Sequence, residues 1–146
     1  MKFTATYPAS ILPEENGKGY HVRFPDLPEA LTGGDNLADA LAQAADCLAE
    51  ALAGRMVRED RISTPFKPKR GQRLINVPLS LAPKLALFLA MLDRNLRKLN
   101  FAMRLGIRET VVRRMLNLRH DTKPEKIQTA LTTLGKQIRV TFEDAV

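Results

Sequence analysis

"LNFAMRLGIRETVVRRMLNL", residues 99–118, sets one glycine inside an apolar helical pattern and follows it with three arginines and a single acid. Glycine reaches positive φ without a Cβ clash, so a left-handed Gly106 would close one short helix at Leu105 and let a second begin at Arg108. On that second helix, expected over residues 108–117, Val112, Met115 and Leu116 form an apolar stripe. Thr110, Arg113, Arg114 and Asn117 recur at i, i+3, i+4, i+7 and therefore share the opposite, exposed face. Arginine can offer a guanine edge two parallel donors and asparagine can pair in the same way with adenine. Threonine meets a methyl group or a phosphate. Arg108, near the helix start, is suited to phosphate, as are the free N–H groups there.

Arg104, Arg108, Thr110, Arg113, Arg114 and Asn117 are thus the candidate DNA-binding residues, with Arg119, Lys123 and Lys126 as further backbone contacts. The spacing of small residue, glycine and apolar positions resembles the helix-turn-helix of phage-repressor-like DNA-binding domains, whose second helix enters the major groove. Before it, Ser80 is a candidate N-cap for a helix whose stripe is Leu85, Phe88, Leu89, Leu92 and Leu96. After it, Thr122-Lys123-Pro124-Glu125 has the form of a capping box. Ile127, Ala130, Leu131 and Leu134 follow at helical spacing before Gly135. In the tail, Ile138, Val140 and Phe142 alternate over residues 137–142, which predicts a C-terminal strand. That strand needs an edge from elsewhere, so these three residues are candidate dimerisation contacts.

The first half reads differently. Phe3, Ala5 and Tyr7 alternate with polar residues, as do Tyr20, Val22 and Phe24, and Pro13-Glu14-Glu15-Asn16-Gly17 separates them as a turn-rich connector. This predicts an antiparallel hairpin. Pro25-Asp26-Leu27-Pro28 is expected to stop the second strand, and Leu31-Thr32 to add a short third before Gly33-Gly34-Asp35 turns the chain. Asn36 can cap a helix on which Leu37, Leu41, Ala44, Leu48 and Leu52 recur, with Gly54 as its stop. Leu74, Ile75 and Val77 suggest one more strand. The expected class is α+β: a β-β-β-α-β module over residues 1–78, then an all-α helix-turn-helix module with a C-terminal strand over residues 79–146.

Charge supports two modules. Residues 1–65 hold 6 Lys+Arg and 10 Asp+Glu, whereas residues 66–146 hold 17 and 6, within a chain of 146 residues and net charge +7. The basic half is the one suited to nucleic acid. With no Trp and only 5% aromatic residues, a large aromatic-lined cavity is not expected. Cys47 is the only cysteine, which leaves no intrachain disulfide or cysteine-based metal site, and it reads as a small core residue. The longest apolar run, residues 85–92, is far short of the ~20 residues that span a bilayer. Residues 1–4 do not read as a signal peptide, so a cytoplasmic protein without membrane association is expected. His21 and His120 have no nucleophile or carboxylate constellation around them and read as surface residues. No cofactor is expected.

"GYHVRFPDLPEALTGGDNLADALAQA", residues 19–44, resembles the N-terminal pattern of the HicB antitoxin family: Gly-Tyr, an alternating strand, Phe-Pro-Asp-Leu-Pro, Thr-x-Gly-Asp, then an alanine-rich helix. Some members carry a C-terminal ribbon-helix-helix and others a helix-turn-helix, and residues 81–134 look like the second kind. The resemblance implies a HicA-type toxin as partner, a small ribonuclease of mRNA that the N-terminal module neutralises while the C-terminal module represses the operon by binding operator DNA. The acidic balance of residues 1–65 is the sign that would steer a basic toxin. Tyr20, Phe24, Pro25, Asp26, Leu27, Pro28 and Glu29 are the candidate toxin-binding residues, where a strand end and rigid prolines would present a carboxylate. One helix-turn-helix covers a single half-site, so a homodimer is expected.

The family's N-terminal fold is similar to a partial ribonuclease H fold, which raises an enzymatic alternative. Two-metal hydrolysis needs several carboxylates converging on the metals, and residues 2–7 and 20–24 contain none. The chain is therefore expected not to be an enzyme. Another alternative keeps the DNA-binding module and makes the first module a sensor for a small ligand or another protein.

Overall fold

The structure, a computed structural model, describes residues 1–145. It divides into two compact units, Met1–Ala82 and Pro83–Val146. The first contains β1 (Thr6–Pro13), β2 (Tyr20–Phe24), β3 (Leu27–Gly34), α1 (Leu37–Arg58) and β4 (Arg73–Asn76). These form one antiparallel sheet in the order β3-β2-β1-β4, with α1 packed against it. The β-β-β-α-β order is as expected, but two strands are longer than the alternation suggested.

The strand expected over residues 3–7 runs instead from Thr6 to Pro13. Pro8 hides it, because proline cannot donate to a ladder. It is accommodated because β1 changes neighbours: Thr6 to Ala9 pair with β4, and Ser10 to Pro13 pair with β2. Pro8 therefore has a ladder on one side only. Pro25-Asp26 turns the chain rather than stopping it. Phe24 pairs with Leu27, and β3 begins at once, carrying Pro28 on an edge strand where a missing donor is harmless.

Paired residues share a face. Tyr7, Ala9, Val22 and Ile75 are buried on one side with Ala40, Ala44, Leu48, Leu52 and Met56 of α1. On the other side the register brings up Leu12, Leu31 and Leu74, all exposed. Asn36 caps α1 as expected, its Oδ1 accepting from Asp39 N at 2.9 Å. Gly54 does not stop the helix, which continues to Arg58 and ends on a left-handed Glu59 (φ 57°). Cys47 is half-buried rather than in the core, and burial pushes its thiol up.

The second unit is helical: α2 (Ala82–Asp93), α3 (Lys98–Leu105), α4 (Glu109–Leu116) and α5 (Pro124–Thr132). The α2 stripe differs from the expected one. Leu87, Ala90 and Met91 are buried beside Leu85 and Phe88, Leu92 is exposed, and Leu96 lies past the helix end. A helix that is apolar nearly all round carries little directional signal, so its inward face could not be read from spacing. The capping box also fails. Lys123 occupies the N-cap position without a side-chain bond, Pro124 starts α5, and Thr122 Oγ1 donates to Arg114 O at 3.3 Å. Residues 137–142 form no strand, since no sheet edge reaches them within this unit.

Candidate functional site

The opening glycine does what its chemistry suggested. Gly106 is left-handed (φ 68°, ψ 31°), and the turn is closed by Ile107 N–H to Ala102 O at 3.0 Å and Gly106 N–H to Met103 O at 3.2 Å. This is a Schellman end. α3 and α4 pack on each other, with Phe101, Ala102, Val112, Met115 and Leu116 buried. Thr110, Arg113 and Arg114 project to solvent from α4, and Arg104 and Arg108 are exposed on either side of the turn. Arg104, Arg108 and Arg114 have no acidic partner among the described residues. Arg113 does, since Nε and Nη2 both reach Glu109 Oε1, at 3.0 and 2.7 Å. The pair is largely solvent-exposed and so weakly held.

Asn117 stands apart from this face. α4 ends at Leu116, and Asn117 is extended (φ −84°, ψ 120°) with its Oδ1 accepting from Arg119 N at 2.9 Å. Its carbonyl takes His120 N–H at 3.1 Å, and His120 Nδ1 lies 2.7 Å from Thr122 Oγ1. Lys84 enters this knot from α2. Only 3% exposed, it donates from Nζ to the carbonyl oxygens of both Asn117 and His120. Helical spacing does not single out Lys84. The only signal was one cation at the edge of the apolar run.

Of the residues singled out in the first unit, Phe24 and Leu27 belong to the core and Asp26 is 8% exposed. Asp26 Oδ1 accepts from Phe66 N at 2.9 Å, which pins the loop after α1. In this conformation these three side chains are withdrawn from the surface. Pro25, Pro28 and Glu29 are exposed and Tyr20 is half-buried. Glu29 is engaged by Arg55, with Nε to Oε2 at 2.6 Å and Nη2 to Oε1 at 2.8 Å. Those bonds hold its carboxyl below the usual carboxylate range. His21 is half-buried, with Nδ1 3.6 Å from Glu14 Oε1.

The boundary at Ala82 also redistributes charge. Beyond residue 65, the loop and strand after α1 bring Lys67, Lys69, Arg70 and Arg73 into the first unit, which then balances 10 Lys+Arg against 10 Asp+Glu. Its acidic residues belong to the segments before residue 61. Ile138 is half-buried and its N–H donates to Gln128 Oε1 at 2.7 Å, whereas Val140 and Phe142 are 86% and 95% exposed. Among the described residues no three His, Cys, Asp or Glu side chains gather, and no helix is long and apolar enough to cross a membrane.

A family model described as the HicB-like antitoxin of bacterial toxin-antitoxin systems matches residues 6–86, which span the whole sheet and α1. The chain belongs to the HicB-like antitoxin family. Its curated relatives extend the similarity through the helical unit. Antitoxin HicB 1 of Photorhabdus laumondii is 38% identical over 94% of this chain and 86% of that protein. Antitoxin HicB of Escherichia coli K12 is 36% identical over 90% and 95%. Antitoxin HicB of Pseudomonas fluorescens is 30% identical over 82% and 83%. In this HicB-like chain the family model reaches Lys84 near its end, whereas the arginine-bearing helix and the carbonyls that Lys84 meets lie beyond it, within the stretch shared with the first two relatives.

Proposed function

We propose that this chain is a cytoplasmic, non-enzymatic antitoxin that works at two sites: the first unit binds and blocks a HicA-type ribonuclease toxin, and the second binds operator DNA as a dimer and represses the operon. Family membership over residues 6–86 carries the reading. A partner that grips RNA must offer cations. Glu29, Pro28, Pro25 and Tyr20 are its exposed contacts in this proposal, with Phe24, Asp26 and Leu27 supporting them from within. Strands β1, β2 and β4 carry no acid, which favours inhibition over nuclease chemistry on a partial ribonuclease H-like sheet.

For the second unit the proposed geometry is a helix-turn-helix, with α4 in the major groove. Arg114, Arg113 and Thr110 face base edges, and Arg104 and Arg108 face phosphates. Asn117 is left out of base recognition, since it lies past the end of α4 in extended backbone with its Oδ1 held by Arg119 N. Pairing of residues 137–142 from two copies, through Ile138, Val140 and Phe142, would set the spacing of the two recognition helices. Co-expression with the neighbouring reading frame tests the first activity. A basic partner should co-purify, and its ribonuclease activity should vanish in the complex. Gel shifts with the promoter upstream of the gene test the second. If neither interaction occurs, the proposal fails, and a metabolic neighbouring gene would favour a sensor.

A further inference from the structure

A lysine 3% exposed and without an ion-paired carboxylate among the described residues needs an explanation, because burying an ammonium costs several kcal/mol unless hydrogen bonds replace its water. Lys84 sits in the first turn of α2 and spends its donors on two carbonyls, those of Asn117 and His120, just past the C-terminal end of α4. Unsatisfied carbonyls and the negative end of the dipole make a helix C-terminus a natural seat for a cation. The rest of the knot is polar as well: Asn117 Oδ1 holds Arg119 N, and Thr122 Oγ1 bridges His120 Nδ1 and Arg114 O. Every bond in it fixes where α4 stops and how the chain leaves it.

We propose that Lys84 is the positioning residue of the recognition helix: it clamps the C-terminal end of α4 to α2, so that the direction of Arg113 and Arg114 is set from inside the unit by a cation that never meets DNA. This rests on the DNA-binding reading of α4. Burial lowers the basicity of Lys84 while Asp121 opposes the shift, as expected of a charge retained for its bonds in a dry site.

A direct DNA contact and a positioning role leave different traces. A lysine on phosphate lowers affinity for every sequence and reduces the salt dependence of binding by about one counterion. A positioning residue lowers operator preference and leaves the salt slope alone. The test uses full-length Lys84→Met, which keeps the side-chain length and removes the ammonium, with affinities corrected for the folded fraction. The expected result is a loss of about tenfold or more in operator affinity, with binding to random duplex and the salt slope unchanged. A parallel loss on both duplexes, a shallower slope or no change would each overturn the proposal.

Should Lys84→Met not fold, the wild-type chain supplies the measurement. Slowly exchanging ammonium protons, with couplings from Nζ to the carbonyl carbons of Asn117 and His120, are expected by NMR. A freely exchanging ammonium refutes the clamp. If the wild type binds no DNA, the DNA-binding reading falls by itself. Hydrogen exchange at residues 117–122, expected to quicken in Lys84→Met while α3 stays protected, still decides whether the clamp exists.

Discussion

Glu29 and Arg55 join edge strand β3 to helix α1 through two parallel hydrogen bonds, and the same guanidinium donates from Nη1 to Arg61 O at 3.2 Å. One arginine thus ties strand, helix and the following loop. Its bonds depress the Glu29 carboxyl, so the stabilisation is present above the unfolded carboxylate range and disappears as pH falls through the lower, folded value. With Glu29 40% exposed, solvent screening limits the effect to about 1 kcal/mol or less. Urea midpoints should fall less steeply towards acid pH in Glu29→Gln than in the wild type. Parallel curves would show the pair to be energetically silent.

Tyr7 acts at the other end of the pH scale. It is fully buried, and loss of solvation, reinforced by Asp26 and opposed by Arg55, pushes its phenol up to about 12. A raised value means stability is intact below the ordinary phenol pKa near 10 and lost as pH rises towards 12. The loss should reach roughly 2–3 kcal/mol. Tyr7→Phe should remove that alkaline loss and the upper step in phenolate absorbance, at little cost near neutrality, because no hydrogen bond among the described residues reaches Tyr7 Oη.

Two glycines should respond differently to alanine. At Gly34 a Cβ would stand 2.4 Å from Ala40 N and 2.7 Å from Ala40 Cα, so β3 and α1 would have to separate, at roughly 3 kcal/mol or more. At Gly106 nothing lies within 4 Å, and only the left-handed backbone objects, at about 1–2 kcal/mol. Denaturant unfolding of both variants checks the order. A costlier Gly106→Ala would contradict the packing described for Gly34.

Within the proposed DNA interface, Glu109 restrains Arg113 and adds a negative charge beside the groove-facing residues. Glu109→Gln should tighten binding to duplex DNA by a few-fold at low salt. Arg113→Ala should cost roughly 1–3 kcal/mol and relax preference at one base pair if that side chain reads a base. Uniform loss on all sequences in quantitative gel shifts would move it to phosphate.

Truncation after Gly135 removes Ile138, Val140 and Phe142. If residues 137–142 pair two copies, the shortened chain should sediment as a monomer and lose cooperative binding to a two-half-site operator. A dimer that survives the truncation would place self-association elsewhere.

The parts legible in the sequence were those where one local rule acts alone. Asn36 caps α1, Gly106 turns between α3 and α4, and Val112, Met115 and Leu116 line an inward stripe because nothing competes with the helical period there. Errors arose where tertiary context decides. Pro8 is tolerated because β1 exchanges partners, which no local pattern encodes, and the nearly uniform apolarity of α2 left its buried face unreadable. At the site, exposure of Thr110, Arg113 and Arg114 followed from spacing. The removal of Asn117 from the helical face, and the burial of Lys84 beneath it, depend on where α4 stops, a detail set by bonds from another helix.

The exchange of neighbours along β1 has a mechanical corollary. β4 is the last strand before the helical unit and grips the sheet through four residue pairs, Thr6 with Asn76 to Ala9 with Arg73, while β2 and β3 are anchored on a separate ladder. Tension arriving along the backbone from a DNA-anchored C-terminal half would load that short zipper first. Were that ladder to open, the β1-β2-β3 pairing would keep its own register, so the surface proposed to hold the toxin would not depend on β4 staying paired.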